Sequence, residues 1–142
     1  MTSEENKVFM TFFIEEVINK KKLDLVDDLV WKDFIEHLPF PGQGPGREGL
    51  KFALTSMFTG FPDMHWVVDE QVAEGEKVVT RFTWTGTHQG EFMGIPPTNK
   101  QVKVWGVVID IVRDKLFSES RIIMDTIGLL QQLGMMPAAS GK

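Results

Sequence analysis

The sequence predicts a single α+β domain in which three N-terminal helices pack on a curved, mainly antiparallel sheet. Apolar residues first recur at helical spacing, and from Met64 onward they alternate with a period of two. Short turns link the later segments, which is typical of antiparallel strands. The chain has 142 residues, of which 42% are hydrophobic, enough to bury a core. We expect one domain over residues 1–136 and a flexible tail over residues 137–142.

The first part of the chain has the pattern of three helices. Thr2 and Glu5 form a capping box, which satisfies the first backbone N–H groups of a helix. The apolar stripe behind them predicts that this helix continues to about Lys20. A short second helix is expected over 23–29 and a third over about 47–58.

Extended segments make up most of the remaining chain. A brief extended piece, residues 34–38, precedes a loop rich in Pro and Gly that we interpret as a lid-like loop. Longer strands are predicted from Met64, over 78–87, over 102–112 and over 116–125. The strand over 102–112 is apolar on both faces, which predicts a central place in the sheet. A last amphipathic turn, residues 127–133, is expected to close the domain.

Composition excludes several classes of function. The chain has no cysteine, so it has no disulfide framework, no thiolate zinc site and no cysteine nucleophile. A net charge of -5 without a basic cluster gives no footprint for nucleic acid. No apolar run is long enough to span a membrane, and the polar N-terminus shows no secretory signal. We therefore expect a cytoplasmic protein that binds neither nucleic acid nor membrane.

The three histidines and the glycine-rich loop do not predict a metal or phosphate site. His37, His65 and His88 lack the close spacing that metal-binding histidines use. His37 precedes the Pro/Gly loop, which places it at the rim of a pocket and makes it a candidate catalytic residue. His65 is expected to be exposed, and His88 lies in a loop-like strand end. The glycines of 42–46 lack the Lys-Ser/Thr of a phosphate-binding loop.

Asp125 is the residue most informative about chemistry. It ends a predicted strand in which Phe117 and Ile123 share its face, so we expect an apolar setting. Burial without a charge partner raises the pKa of a carboxyl group, which suits a general acid or base. The alternative is that Asp125 caps the final helix from just outside it. Its spacing alone leaves both roles open.

Aromatic residues are plentiful, with eleven Phe and four Trp but no Tyr. Most of them are expected in the core. Several lie next to Pro/Gly loops, where they can line the mouth of a pocket for a flat apolar ligand. The residues that we expect to bind a substrate are Phe34, Phe58, Phe61, Phe92, Met93, Trp105 and Ile123.

Three segments of the chain resemble the SnoaL-like polyketide cyclases. They are FPD at 61–63, RFTWTGTHQGEFMGIPPT at 81–98, and the ending in which Glu119 and Asp125 precede GLLQQLG at 128–134. The resemblance covers about 31–135. It implies the cone-shaped α+β barrel of the nuclear transport factor 2-like superfamily, with a pocket between helices and sheet, usually in a homodimer. It implies no cofactor.

The resemblance also implies a reaction. Characterised members close a ring by intramolecular aldol condensation with an aspartate as acid/base, and Asp125 matches that position. The implied activity is therefore acid/base ring closure on a small hydrophobic carbonyl compound. The chain departs from the pattern at Arg121, where Trp is common, and it has no histidine over 91–142 that can assist Asp125. His37 can substitute only across space.

The same fold also carries other functions, and they need side chains that can be looked for in this chain. A steroid isomerase needs a Tyr hydroxyl, and an epoxide hydrolase needs an Arg-x-Asp arrangement; this chain lacks both. The remaining alternative is a dimeric pocket protein that binds an apolar small molecule without turnover. A homodimer is expected through a sheet face that the short helices leave bare, with Trp84 and Trp105 among its large apolar residues.

Overall fold

The computed structural model describes residues 1–137 of the chain. In chain order, its main elements are α1 (Ser3–Phe13), α2 (Val26–Leu29), β1 (Val30–Glu36), α3 (Gly46–Gly60), β2 (His65–Glu74), β3 (Lys77–Thr87), β4 (Gln101–Arg113), β5 (Leu116–Met124) and α4 (Thr126–Gln132). A π-helical segment, Ile14–Asn19, continues α1, and a 3₁₀ turn, Leu23–Leu25, precedes α2. The predicted flexible tail, 137–142, lies outside the described residues except for Pro137.

The five strands form one open sheet in the order β1-β5-β4-β3-β2. Strands β2 to β5 pair antiparallel, and β1 pairs parallel with β5 at one edge. The predicted α+β class and the mainly antiparallel sheet are therefore confirmed, with β4 at the centre. Strand β1 begins earlier than the brief extended piece that we predicted, because Val30 already pairs with Phe117.

The helices pack on one face of this sheet and bury it. Alternating residues of β3 are buried as predicted, and Val78, Phe82 and Trp84 are fully buried. The expectation that Trp84 lies on a bare face is therefore wrong, whereas Trp105 on β4 is 55% exposed. Within residues 1–137, no helix is both long enough and apolar enough to cross a membrane.

A β-bulge in β5 decides which of its residues face the helices. The register shifts between Ile111 and Val112, which leaves Ser118 without a partner on β4. An extra residue reverses the alternation of faces along a strand. Phe117 is consequently buried while Ile123 is 63% exposed, so the expectation that they share a covered face is wrong. The inward residues after the bulge are Ser120, Ile122 and Met124.

Asn19 ties the helical layer to the sheet. Its Oδ1 accepts a hydrogen bond from the backbone N–H of Trp66 at 2.7 Å. Its Nδ2 donates to the carbonyl oxygen of the same residue at 3.0 Å. Trp66 is buried at the start of β2, so the Asn19 side chain joins the π-helical segment to the sheet at this point.

We expect Asn19→Ala to lower the free energy of unfolding by about 1–3 kcal/mol, because two backbone groups of Trp66 lose their partner in a buried region. Urea unfolding measures this loss. Thr55→Ala, at an exposed position of α3, is the control and should stay within about 0.5 kcal/mol of the wild type. An Asn19→Ala loss no larger than that of the control contradicts the anchoring role.

Candidate active site

A cavity of about 250 Å³ lies between the helices and the inner face of the sheet. Side chains of α1, its π-helical extension and α3 form one wall, and the strands form the other. Leu38 and Met93 belong to its lining and are exposed by 46% and 47%, which places the mouth at the loops that carry them. Most of the lining is apolar; the residues with amide, hydroxyl or carboxyl side chains are Glu36, Gln43, Asp110, Ser120 and Thr126.

Glu36, Ser120 and Asp110 form one row across three neighbouring strands. Ser120 of β5 pairs with Glu36 of β1 on one side and with Asp110 of β4 on the other. Adjacent strands are about 4.8 Å apart, and laterally paired residues point to the same face of a sheet. The three side chains therefore stand side by side, and all three line the cavity.

Asp110 is the most deeply buried acid of this row. It is 1% exposed, and its Oδ1 has no hydrogen-bond partner among residues 1–137. Burial raises the pKa of the Asp110 carboxyl well above its ordinary value, and the nearby charge of Glu36 raises it further. Asp110 therefore holds its proton more tightly than an ordinary aspartate, and a protonated carboxyl donates a hydrogen bond.

Glu36 is held in a different way. Its Oε2 accepts hydrogen bonds from the backbone N–H groups of Leu38 at 3.1 Å and Ile122 at 3.3 Å. Burial raises the pKa of Glu36, while these bonds and the Ser120 hydroxyl favour the ionised form and offset part of that rise. Of the two carboxyls, Glu36 thus ionises more readily, whereas Asp110 keeps its proton and can donate it.

Sequence reasoning missed both of these carboxyls. Asp110 lies within an apolar run, and we described that strand as apolar on both faces. The signal that can find it is its position, since alternate residues of β4, including Val108 and Val112, are buried on either side of it. The backbone hydrogen bonds of a strand pair its main-chain groups with each other, so they leave a buried carboxyl side chain at such a position without a partner. Glu36 carries the same signal, two residues after the buried Phe34.

Asp125 is the N-cap of α4. Its Oδ1 accepts a hydrogen bond from the backbone N–H of Gly128 at 2.9 Å, which is the capping geometry that the sequence left open. It is half-buried, and its neighbours Met124 and Thr126 line the cavity while Asp125 does not. The acid/base role that the resemblance assigns to Asp125 stays a prediction.

None of the three histidines lines the cavity, although His37 follows Glu36 directly and its backbone N–H donates to the carbonyl oxygen of Ser120 at 2.9 Å. His37 Nε2 is 2.9 Å from Glu119 Oε1, and His37 is not among the residues that line the cavity. Its catalytic role stays a prediction. His65 is exposed, as expected. His88 is fully buried, and its Nδ1 accepts a hydrogen bond from the backbone N–H of Thr98 at 3.2 Å.

The residues that we expected to bind a substrate are dispersed. Phe92 and Met93 line the cavity. Phe34 and Phe61 are buried in the core, and Phe58 packs against it. Trp105 and Ile123 are exposed by 55% and 63% on the opposite, outer face of the sheet. Across residues 1–137, no three acidic or histidine side chains come together to hold a metal ion.

An open sheet covered by helices, with an apolar cavity that holds two carboxyls, defines an α+β protein with an internal cavity. A sequence model of the SnoaL-like polyketide cyclase family matches residues 9–133. The chain therefore belongs to this family. A search of curated proteins finds no match.

Solved structures agree with this assignment. TsrD from Streptomyces laurentii is 28% identical and superimposes with a TM-score of 0.82, covering 92% of this chain and 95% of its own. IdmH from Streptomyces antibioticus is 32% identical with a TM-score of 0.78, covering 91% and 98%. A protein from Jannaschia sp. CCS1, provisionally described as a SnoaL-like polyketide cyclase, is 22% identical with a TM-score of 0.86 over 96% of both chains. The last likeness concerns the fold alone.

We expect Asp110→Asn to change how stability depends on pH. Folding raises the pKa of this carboxyl, so as pH rises it ionises in the unfolded chain first, near pH 4. The folded state therefore loses stability between about pH 4 and the pKa of the folded state. The variant has no such carboxyl to ionise, so its stability relative to the wild type should increase as pH rises above about 4. Urea unfolding between acidic and mildly alkaline pH measures this difference. A difference that stays constant over that range contradicts the raised pKa.

Proposed function

We propose that this protein catalyses an acid/base ring closure of the aldol type on a small hydrophobic carbonyl compound held in the cavity. The observation that carries the proposal is a buried Asp110 beside Glu36 in a mainly apolar cavity, with no hydrogen-bond partner for its Oδ1 within residues 1–137. An unpaired buried polar atom destabilises a fold by about 1–3 kcal/mol, so its presence points to function. Membership of the SnoaL-like polyketide cyclase family supports the reaction class.

The two carboxyls divide the work. The Glu36 carboxylate removes a proton from a carbon next to a carbonyl group, and that carbon attacks a second carbonyl of the same molecule. Asp110 gives its proton to the oxygen of the attacked carbonyl, which becomes a hydroxyl as the new carbon–carbon bond forms. One carbon–hydrogen bond breaks and one oxygen–hydrogen bond forms, so the compound is neither oxidised nor reduced.

Ser120 and the apolar wall complete the proposed site. After ring closure Glu36 holds a proton and Asp110 lacks one, and the Ser120 hydroxyl lies between them in the row. It is therefore placed to pass the proton back. The apolar lining keeps the flexible substrate folded so that its two reacting carbons meet, and it keeps water away from the enolate.

We expect Asp110→Asn to retain ligand binding while losing roughly 10²–10⁴-fold in turnover, the usual contribution of a general acid or base. Short poly-β-ketones and aromatic polyketide esters are the first compounds to screen for turnover. Asp125→Asn and His37→Ala test the assignment that the resemblance implies. If Asp125→Asn abolishes turnover and Asp110→Asn leaves it unchanged, the acid/base role belongs to Asp125.

A pocket protein without turnover is the second candidate function. It is favoured by the use of Asp125 as a helix cap and by Arg121 at a position where the family pattern commonly carries Trp. Under this reading the cavity binds apolar molecules and no compound of the screen is converted. Tight binding with no turnover by the wild type therefore supports this candidate over the cyclase.

We also propose that the protein is a homodimer through the outer face of the sheet. Val67, Thr83 and Trp105 form one row on that face, and Ile123 pairs with Val107 in the next position along β4. Val67, Trp105 and Ile123 are 51%, 55% and 63% exposed. Large apolar side chains grouped on an exposed surface mark an interaction site. A cytoplasmic location stays a prediction.

We expect sedimentation of the wild type at micromolar concentration to give a dimer and that of Trp105→Lys to give a monomer, since a buried lysine disfavours the interface. Thr55→Lys, at an exposed position of α3 on the opposite side of the sheet, is the control and should sediment as the wild type does. A wild type that sediments as a monomer contradicts this proposal.

A further inference from the structure

Two tryptophans of the cavity wall differ in what their indole N–H groups do. Trp66 of β2 and Trp84 of β3 pair directly in the sheet, and both line the cavity. Nε1 of Trp84 donates a hydrogen bond to the Met124 sulfur at 3.4 Å. Trp66 is only 4% exposed, and its Nε1 has no partner among residues 1–137. One of the two neighbouring indoles therefore has an unused donor.

The unused donor is held on a rigid ring. The indole of Trp66 stacks on Phe82 with the ring centroids 3.9 Å apart and the planes at 10°. Buried Trp N–H groups usually find a partner, because an unpaired buried donor is unfavourable. A ligand that brings an acceptor to this N–H removes that cost, and the ring loses little freedom because it is already fixed.

Trp66 belongs to a different part of the cavity wall from the two carboxyls. Trp66 pairs with Trp84, whereas Asp110 pairs with Val78, six positions earlier on β3. Six residues of strand span roughly 20 Å between main-chain positions. The carboxyl row and the Trp66 indole thus lie at separate places along the cavity wall, which suits an elongated ligand with an oxygen at each place.

The charge of the lining restricts the ligand further. The cavity wall carries Glu36 and Asp110 but no Lys, Arg or His. A ligand with a carboxylate or phosphate would meet negative charge without a cation to balance it, which is strongly unfavourable in an apolar cavity. The acceptor that reaches Trp66 is therefore a neutral oxygen, such as that of a ketone, quinone or ester.

We propose that Nε1 of Trp66 is the donor of a second subsite, which binds a neutral carbonyl oxygen of the ligand remote from the reacting atoms beside Glu36 and Asp110. This subsite rests on the proposed function, since it needs a cavity that takes a hydrophobic carbonyl compound. It makes Trp66 a residue that selects and orients the substrate, and not an acid or base.

The pair 9-fluorenone and fluorene tests the subsite, because the two molecules share a shape and only the first has a carbonyl oxygen. Calorimetry should give wild-type binding of fluorenone roughly 3- to 10-fold tighter than that of fluorene, the range expected for one net hydrogen bond. Trp66→Phe should abolish this preference while fluorene still binds. Trp84→Phe is the matched control, and it should keep the preference even if both affinities fall. Equal preference in Trp66→Phe and the wild type overturns the subsite.

A second measurement is independent of any change in packing. In the wild type, the indole N–H resonance that Trp66→Phe lacks should move downfield with fluorenone and much less with fluorene. A fluorenone shift no larger than the fluorene shift overturns the subsite. Failure of either test while fluorenone still binds leaves the ring-closing function standing, whereas no binding of either probe contradicts both proposals.

Discussion

Strand β4 places the carboxyl group of Asp110 between two valines on the same face, and the proposed chemistry of the cavity depends on this placement. Because the strand is central, the side chain is buried among its neighbours, and its Oδ1 has no hydrogen-bond partner within residues 1–137. Glu36 reaches the same row from the other side of β5. Two neighbouring carboxyl groups in so apolar a setting are unfavourable when both are ionised. Asp110 therefore keeps its proton.

The other features of the site follow from how the strands pair. The parallel pairing of β1 with β5 brings Glu36 beside Ser120, and the bulge at Ser118 turns Ser120 towards the cavity. Without the bulge, Ser120 and Ile122 would face outward, and the row of Glu36, Ser120 and Asp110 would be broken. The edge pairing and one inserted residue therefore set the geometry between the two carboxyls.

The α+β class and the approximate ends of the elements are predictable from the sequence, because they depend on local patterns. The period of the apolar residues changes at Met64, and the capping box at Thr2 forms as expected. The bulge is not predictable in this way, since a serine at 118 fits either register. The sequence points to Asp125 and not to Asp110 for a similar reason. A helix cap is recognisable from neighbouring residues, whereas the burial of Asp110 depends on which strands flank β4.

Membership of the family and the proposed catalytic residues rest on different observations in this chain. The family pattern covers residues 9–133 and accounts for the helical layer and the sheet. It leads to Asp125, which caps α4, while the row of Glu36, Ser120 and Asp110 comes from strand pairing alone. The Trp66 donor likewise comes from an unpaired atom and not from a motif.

The titration of Asp110 by carboxyl-carbon NMR tests the central claim most directly. We expect its pKa to lie well above the ordinary value of about 3.9 and to fall, while staying raised, in Glu36→Gln, since burial is the larger cause and the Glu36 charge the smaller. A titration near the ordinary value, unaffected by Glu36→Gln, would contradict the account of Asp110 as a buried acid beside a carboxylate.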